Sequence, residues 1–311
     1  MNKMKNILFT LCFTIITGAA FSQLLWSIEK KGLQHTSYLF GTLHQGDSST
    51  ISWDDNFLDA FYSCALFVGE LDLTQTQEID QTMNALMVSG MRDPNEKISP
   101  TLQDSINQIT RQIATTFDAT TADQLMMMKP ILIQIQLMGL QRIKDGNMDF
   151  PNDPDKIDTG HWVMPDMVLT EKAQAADINV RGLETVEDQM NALFNIPMSV
   201  QWKSLYDELI QPDTTKRPSM NLEFLQKIYK QQDLAVINQW LNDAELPTSI
   251  AKELIVGRNY NMLNGIEEIL QDQESVFFAV GAGHLGGKEG LIELLKQKNY
   301  QVKPVPFSWQ E

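Results

Sequence analysis

Two segments far apart in the chain share one arrangement. "FGTLH" (Phe40 to His44) and "VGAGH" (Val280 to His284) each carry an apolar run into Gly-x-x-His, in a sequence with only four histidines. Glycine at a strand end lets the backbone turn sharply and approach a neighbour or ligand closely. An imidazole just past such a turn sits on the sheet rim, where open α/β sheets place their chemistry. If the two strands are neighbours, the rings converge, and a pair of neutral imidazoles is competent to ligate zinc, manganese or cobalt. Each motif alone also suits an ordinary hydrogen-bonded loop histidine. "GAGHLGG" lacks the Gly-Lys-Ser/Thr ending of a phosphate-binding loop.

Carboxylates and one cation extend the set. Glu70 in "VGELDL" ends a buried apolar run just after Gly69. An ionised glutamate there is costly unless it meets a cation or a hydrogen-bond donor. Asp72, two residues on, shares that strand face nearer the surface. Glu184 in "RGLETVEDQ" again closes a strand after glycine, and "VGRNYN" puts Arg258 and Asn259 midway along an amphipathic helix, where they could face the same rim. A surface salt bridge is the plainer reading of Arg258.

The elements that must position these residues are legible in pattern. "LLWSIEKKG" and "SYLFGTLH" read as a hairpin, residues 53–63 as a helix, and "CALFVGELDL" as a strand buried on both faces. Amphipathic helical patterns fill 75–91, 102–117 and 122–143, followed by a polar Asp/Pro-rich loop. Residues 161–176 predict a helix and "INVRGLET" a strand; helical segments resume from 186 to 270. "SVFFAVGAGHL" is a further buried strand, "KEGLIELLKQK" a helix and "YQVKPVPF" a last strand. Strands cluster toward both ends, so the expected architecture is α/β (α+β): a central mixed sheet from N- and C-terminal segments, flanking helices and a helical insertion around 75–150. The methionines of "LMMMKP" stand at helical spacing and predict core packing rather than a metal box.

The 311 residues suffice for one large domain, and 43% hydrophobic with 21% charged residues is globular composition. The net charge of −16 repels phosphate backbones, which argues against a nucleic-acid partner. Residues 1–22 read as a signal peptide: Lys3 and Lys5, an apolar stretch from Ile7 to Phe21, and small residues at Ala20 and Ser22. Cleavage would leave residues 23–311 in a periplasmic or secreted compartment without a stable membrane span, although retention as an anchor is the alternative. Cys64 would then be a single thiol among apolar neighbours, excluding an internal disulfide and predicting an inert buried side chain.

Together "YLFGTLHQGD", "VGELDL", "RGLETVEDQ", "GRNYNM" and "FFAVGAGHLGGKEGLIELLKQKNYQVKPV" resemble the TraB/GumN family (TraB/PrgY/GumN), related to the Tiki metalloproteases. The resemblance spans about Leu24 to Pro306. It implies a sheet flanked by helices, built from two pseudo-repeats, and a metal-dependent hydrolase site. By motif match His44, His284 and Glu70 would hold a divalent metal (Mn, Co or Zn), with Glu70 as ligand or as base. Arg258 and Glu184 match further family positions, and Arg258 would stabilise an oxyanion or grip a substrate carboxylate. Family members often carry a Gly-hydrophobic-Asp segment where this chain has "VMPDMVL"; Pro165 there sets Asp166 apart, and no motif claims His161. The expected function is an exported, peptidase-like hydrolase acting on a peptide or small molecule. The alternatives are a non-catalytic peptide-, haem- or metal-binding protein on the same scaffold, and a metal-independent hydrolase using His44 as base with Glu70.

Overall fold

Six strands form one mixed sheet in the order β4-β3-β5-β2-β1-β6. They are β1 (Leu25–Glu29), β2 (Ser37–Thr42), β3 (Leu66–Gly69), β4 (Asn179–Gly182), β5 (Val276–Gly281) and β6 (Gln301–Pro304). The computed structural model describes residues 23–32, 35–43, 46–93, 95–113, 124–144, 163–209, 222–243, 252–271 and 275–310. The expected signal segment, His44 and His161 lie outside them.

Burial explains the strand order. Every residue of β3 and β5 is buried, as befits strands covered on both faces, and β5 lies between β3 and β2 with parallel pairing to both. β4 joins β3 in parallel, whereas β1 runs antiparallel to both β2 and β6. The carboxyl ends of β2, β3, β4 and β5 therefore share one edge. Thr42 pairs with Gly281, and Gly69 with Gly182.

Helices pack on this sheet. α1 (Asp55–Tyr62) starts where the Asp54 carboxylate accepts the Phe57 N–H, and it turns Phe57, Ala60 and Phe61 inward. Phe57 lies edge-on to Phe40 at 4.7 Å and stacks with Trp53 at 4.8 Å, locking β2 from beneath. Cys64 is buried below the same cluster, and burial pushes its thiol up to about 12 despite a hydrogen bond with Ser63.

α2 (Thr76–Ser89), α3 (Pro100–Ile113) and α4 (Pro130–Lys144) fall within the region expected to be helical. A separate buried cluster of Leu102, Ile106, Leu125, Met126, Ile133 and Leu137 is completed by Leu205 from α7 (Met198–Leu209). Met126 is in that core and Met128 packs against both it and a neighbouring cluster around Leu132 and Phe194, whereas Met127 is exposed. The helix expected from residue 122 starts its regular course at Pro130. The fixed φ and missing N–H of proline suit a first helical turn.

The same rule sets α5 (Pro165–Ala175), which begins at Pro165 rather than at residue 161. α6 (Val186–Phe194) opens with a capping box: the Thr185 side chain takes the Asp188 N–H while the Asp188 carboxylate takes the Thr185 N–H. Further helices among the described residues are α8 (Leu222–Lys230), α9 (Leu234–Asp243), α10 (Arg258–Gln271) and α11 (Leu291–Gln297). Directly before α10, Lys252–Gly257 is wound as a π-helix. Arg258 therefore stands inside one helical run over 252–271, at the point where its winding changes from π to α, and that change occurs beside the site described next.

Candidate functional site

The shared edge of the four parallel strands gathers the charged residues picked out in the sequence. Glu70 follows β3 directly, Glu184 lies two residues beyond β4, and His284 lies three beyond β5. Two main-chain bonds knit β3 to β4 here, Leu183 N–H to Gly69 O and Glu184 N–H to Glu70 O, each 2.9 Å. Gly182 is required for this approach, since a Cβ there would stand 2.7 Å from the Asp72 backbone nitrogen. Asp72 itself turns away, its carboxylate accepting from the Thr74 N–H and hydroxyl.

Arg258 lies between the two glutamates. Its Nη2 donates to Glu70 Oε2 and to Glu184 Oε2, both at 2.6 Å, and its Nε donates to both Glu184 oxygens at 3.1 Å. Burial by itself would lower the guanidinium pKa. The hydrogen bonds it donates to Glu184 and the charges of both carboxylates outweigh it, so the net shift is upward. Gln189, one turn into α6, donates Nε2 to Glu70 at 3.1 Å and to Glu184 at 3.4 Å. The other oxygen of Glu70 accepts the Gly281 main-chain N–H at 2.6 Å. Two carboxylates and one guanidinium leave the cluster one negative charge, in a place where water does little to screen it.

His284 faces that charge. Its Nε2 is 3.8 Å from Glu70 Oε1, and its Nδ1 is 2.7 Å from Asn259 Oδ1. Both His284 and Asn259 are buried. His44 is outside the described residues; Thr42, two residues before it, is bonded in register to Gly281, three residues before His284. Next to Thr42, the Asp166 carboxylate accepts the Thr42 hydroxyl at 2.8 Å. Pro165 does not displace Asp166 from this edge, because the proline starts the helix on which Asp166 is carried. Tyr229 donates its hydroxyl to Gly41 O at 2.9 Å; burial, then the Asp166 charge, raises its pKa well above the ordinary tyrosine value.

The residues fit a divalent cation. Two donors each about 2.1 Å from a shared ion stand about 3.4 Å apart at a tetrahedral angle. The 3.8 Å between His284 Nε2 and Glu70 Oε1 is within a few tenths of an ångström of that, and the residual negative charge favours a cation. Among the described residues no three His, Cys, Asp or Glu side chains form a ligand group; His284 and Glu70 would supply two donors, and a three-ligand set would need one more.

Glu70, Glu184, Arg258 and His284, picked out in the sequence as facing one rim, do lie at one edge: Arg258 bonds both glutamates, and His284 stands 3.8 Å from Glu70. Sequence reasoning missed Gln189 and the Gly281 amide. The first carries no signal beyond its place in "GLETVEDQ", and the second is a backbone group that only strand order can aim.

The model of the TraB/PrgY/gumN family matches residues 24–304, and the chain belongs to that family. Its curated relatives include metalloprotease TIKI1 of Homo sapiens, 22% identical over 329 residues, covering 91% of this chain and 62% of the relative. Metalloprotease TIKI2 of Danio rerio is 22% identical over 354 residues, covering 96% and 65%. The TIKI1 of Xenopus tropicalis is 23% identical over 329 residues, covering 91% and 61%. This chain thus spans less than two thirds of the length of these relatives. No solved structure matches it.

Proposed function

We propose that the protein is a metal-dependent, peptidase-like hydrolase, exported to the periplasm or the medium. The observation that carries this reading is the buried Glu70 carboxylate, held by Arg258 and the Gly281 amide 3.8 Å from the Nε2 of His284. The metalloprotease names of its distant relatives and the fit of the donor pair support it. His284 and Glu70 would hold a divalent ion together with His44, matching the three-ligand pattern of catalytic sites. When bound, such an ion polarises a substrate carbonyl and acidifies water.

The chain's own residues do the positioning. Arg258 has its Nε and Nη2 edges committed to carboxylates, so the role we give it is to hold Glu70 in place and offset its charge. Glu184 in turn fixes Arg258 from β4. Gly281 presents the amide that orients the inner oxygen of Glu70 toward His284. No helix among the described residues is long and apolar enough to cross a membrane.

The test uses the full chain after export. Bound metal is measured, and cleavage of a peptide library is assayed with and without chelator, beside His44→Ala and Glu70→Ala. Stoichiometric metal, lost in both variants, with chelator-sensitive cleavage is the expected result. Cleavage indifferent to chelator would point to a metal-independent hydrolase. Metal or peptide binding without turnover would make the protein a binding protein on this scaffold; either outcome overturns the proposal.

A further inference from the structure

Asn259 makes two hydrogen bonds whose chemistry decides the state of its neighbour. Its Nδ2 lies 2.7 Å from the main-chain oxygen of Glu289, and its Oδ1 lies 2.7 Å from His284 Nδ1. A carbonyl oxygen can only accept, so the group facing Glu289 must be the amide NH2. Turning the amide over would set two oxygens against each other at that distance. The group facing His284 is therefore the Asn259 carbonyl, which also can only accept. Nδ1 of His284 must carry the proton.

We infer that Asn259 is a positioning residue: by anchoring its amide on Glu289 O it fixes His284 in the Nδ1–H tautomer and presents the Nε2 lone pair toward Glu70. In a neutral imidazole, one nitrogen donates and the other accepts. Asn259 is 1% exposed and His284 2%, so water does not compete for either bond. Metal-ligating histidines depend on such a partner on the far nitrogen, and losing it typically lowers metal affinity about 10–100-fold. The device is tied to the fold at both ends: Asn259 lies in the first turn of α10, beside Arg258, and Glu289 O lies just ahead of α11.

The inference rests on the proposed metal site for its consequence but not for its first readout. Long-range ¹H–¹⁵N spectra of metal-free wild-type protein near neutral pH report which nitrogen of His284 is protonated, with His284→Gln used for assignment. The expected result is Nδ1–H. Nε2–H as the main neutral form would overturn the inference whether or not the protein binds metal.

Asn259→Leu removes the acceptor; it should shift His284 toward Nε2–H and weaken Co²⁺ or Zn²⁺ binding, titrated calorimetrically, by about 10–100-fold. Asn259→Asp keeps an acceptor for Nδ1, but it adds a charge and exchanges the bond to Glu289 O for an opposed pair of oxygens. It should preserve the Nδ1–H tautomer and bind metal within a few-fold of wild type, at lower stability. Wild-type affinity and tautomer in the leucine variant would overturn the inference. If that variant fails to fold, the wild-type tautomer and the aspartate variant still decide it. A wild-type protein with the Nδ1–H signature that binds no metal would sink the hydrolase reading and leave the role of Asn259 standing.

Discussion

The two ends of the sheet hold the same kind of ion pair in opposite ways. At the antiparallel end, Lys303 on β6 reaches Glu29 on β1 at 3.2 Å, with side chains 59% and 42% exposed. At the parallel end, Arg258 bridges Glu70 and Glu184 at 2.6 Å, with side chains 17%, 7% and 4% exposed. An exposed pair gains little because water screens it and two long side chains must be ordered. A buried pair has already lost its hydration, so each member depends on the others remaining. The contrast separates charge that decorates a sheet from charge that a fold has been arranged to hold. Around the inner cluster, strand order, a close-packed glycine and a capped helix all serve one group of side chains; around Lys303 nothing does.

That difference can be broken at its strongest point first. Arg258→Met should cost about 3–5 kcal/mol in denaturant unfolding, since it leaves two carboxylates buried side by side. Adding Glu184→Gln should return part of the loss, and equal unfolding midpoints for wild type and Arg258→Met would erase the contrast. A smaller effect, about 1–3 kcal/mol, is expected from Gly182→Ala, whose methyl would press on the Asp72 and Leu71 backbone and pry β4 from β3. Its partner measurement is metal affinity, which should fall with it.

Thr185→Ala removes the N-cap that seats Gln189 and should cost about 1 kcal/mol. Hydrogen bonds from the Thr185 side chain and then its N–H hold the Asp188 carboxyl below its ordinary value. A lowered folded pKa stabilises the fold above the unfolded value and loses that contribution as pH falls through the folded one. The gap between wild type and Thr185→Ala should accordingly persist at neutral pH and narrow only in acid, in urea melts across pH 2 to 7 (roughly the span of carboxylate titration). The smallest effect belongs to the outer pair: Lys303→Ala should change stability by about 0–1 kcal/mol, and less in high salt. A loss there as large as that of Arg258→Met would mean that burial is not what distinguishes the two ends.

Much of this was legible because parallel strands covered on both faces must be apolar throughout, and the chemistry follows where the apolar run stops. β3 and β5 declared themselves that way, and Glu70 and His284 stood out as polar residues at their ends. What stayed hidden was adjacency. Residues 70, 184 and 258 come from three segments, and the guanidinium meets both carboxylates only because β4 pairs with β3 and β3 with β5, an order no local pattern encodes. For Arg258 a surface salt bridge stood beside a place at the rim, because a helical pattern cannot show that the winding changes from π to α at that residue. Asn259 was visible as a polar residue facing the rim, but its task depends on the carbonyl of Glu289, thirty residues on.

The insertion of β5 between β2 and β3 has a consequence for how the molecule comes into being. Glu70 is translated early, yet the Gly281 amide that donates to it follows 211 residues later. A ribosome emits the chain from its amino end, so every intermediate length lacks the strand that brings the two halves of the edge together. The edge on which Glu70, Arg258 and His284 meet can therefore assemble only once the chain has been made past β5.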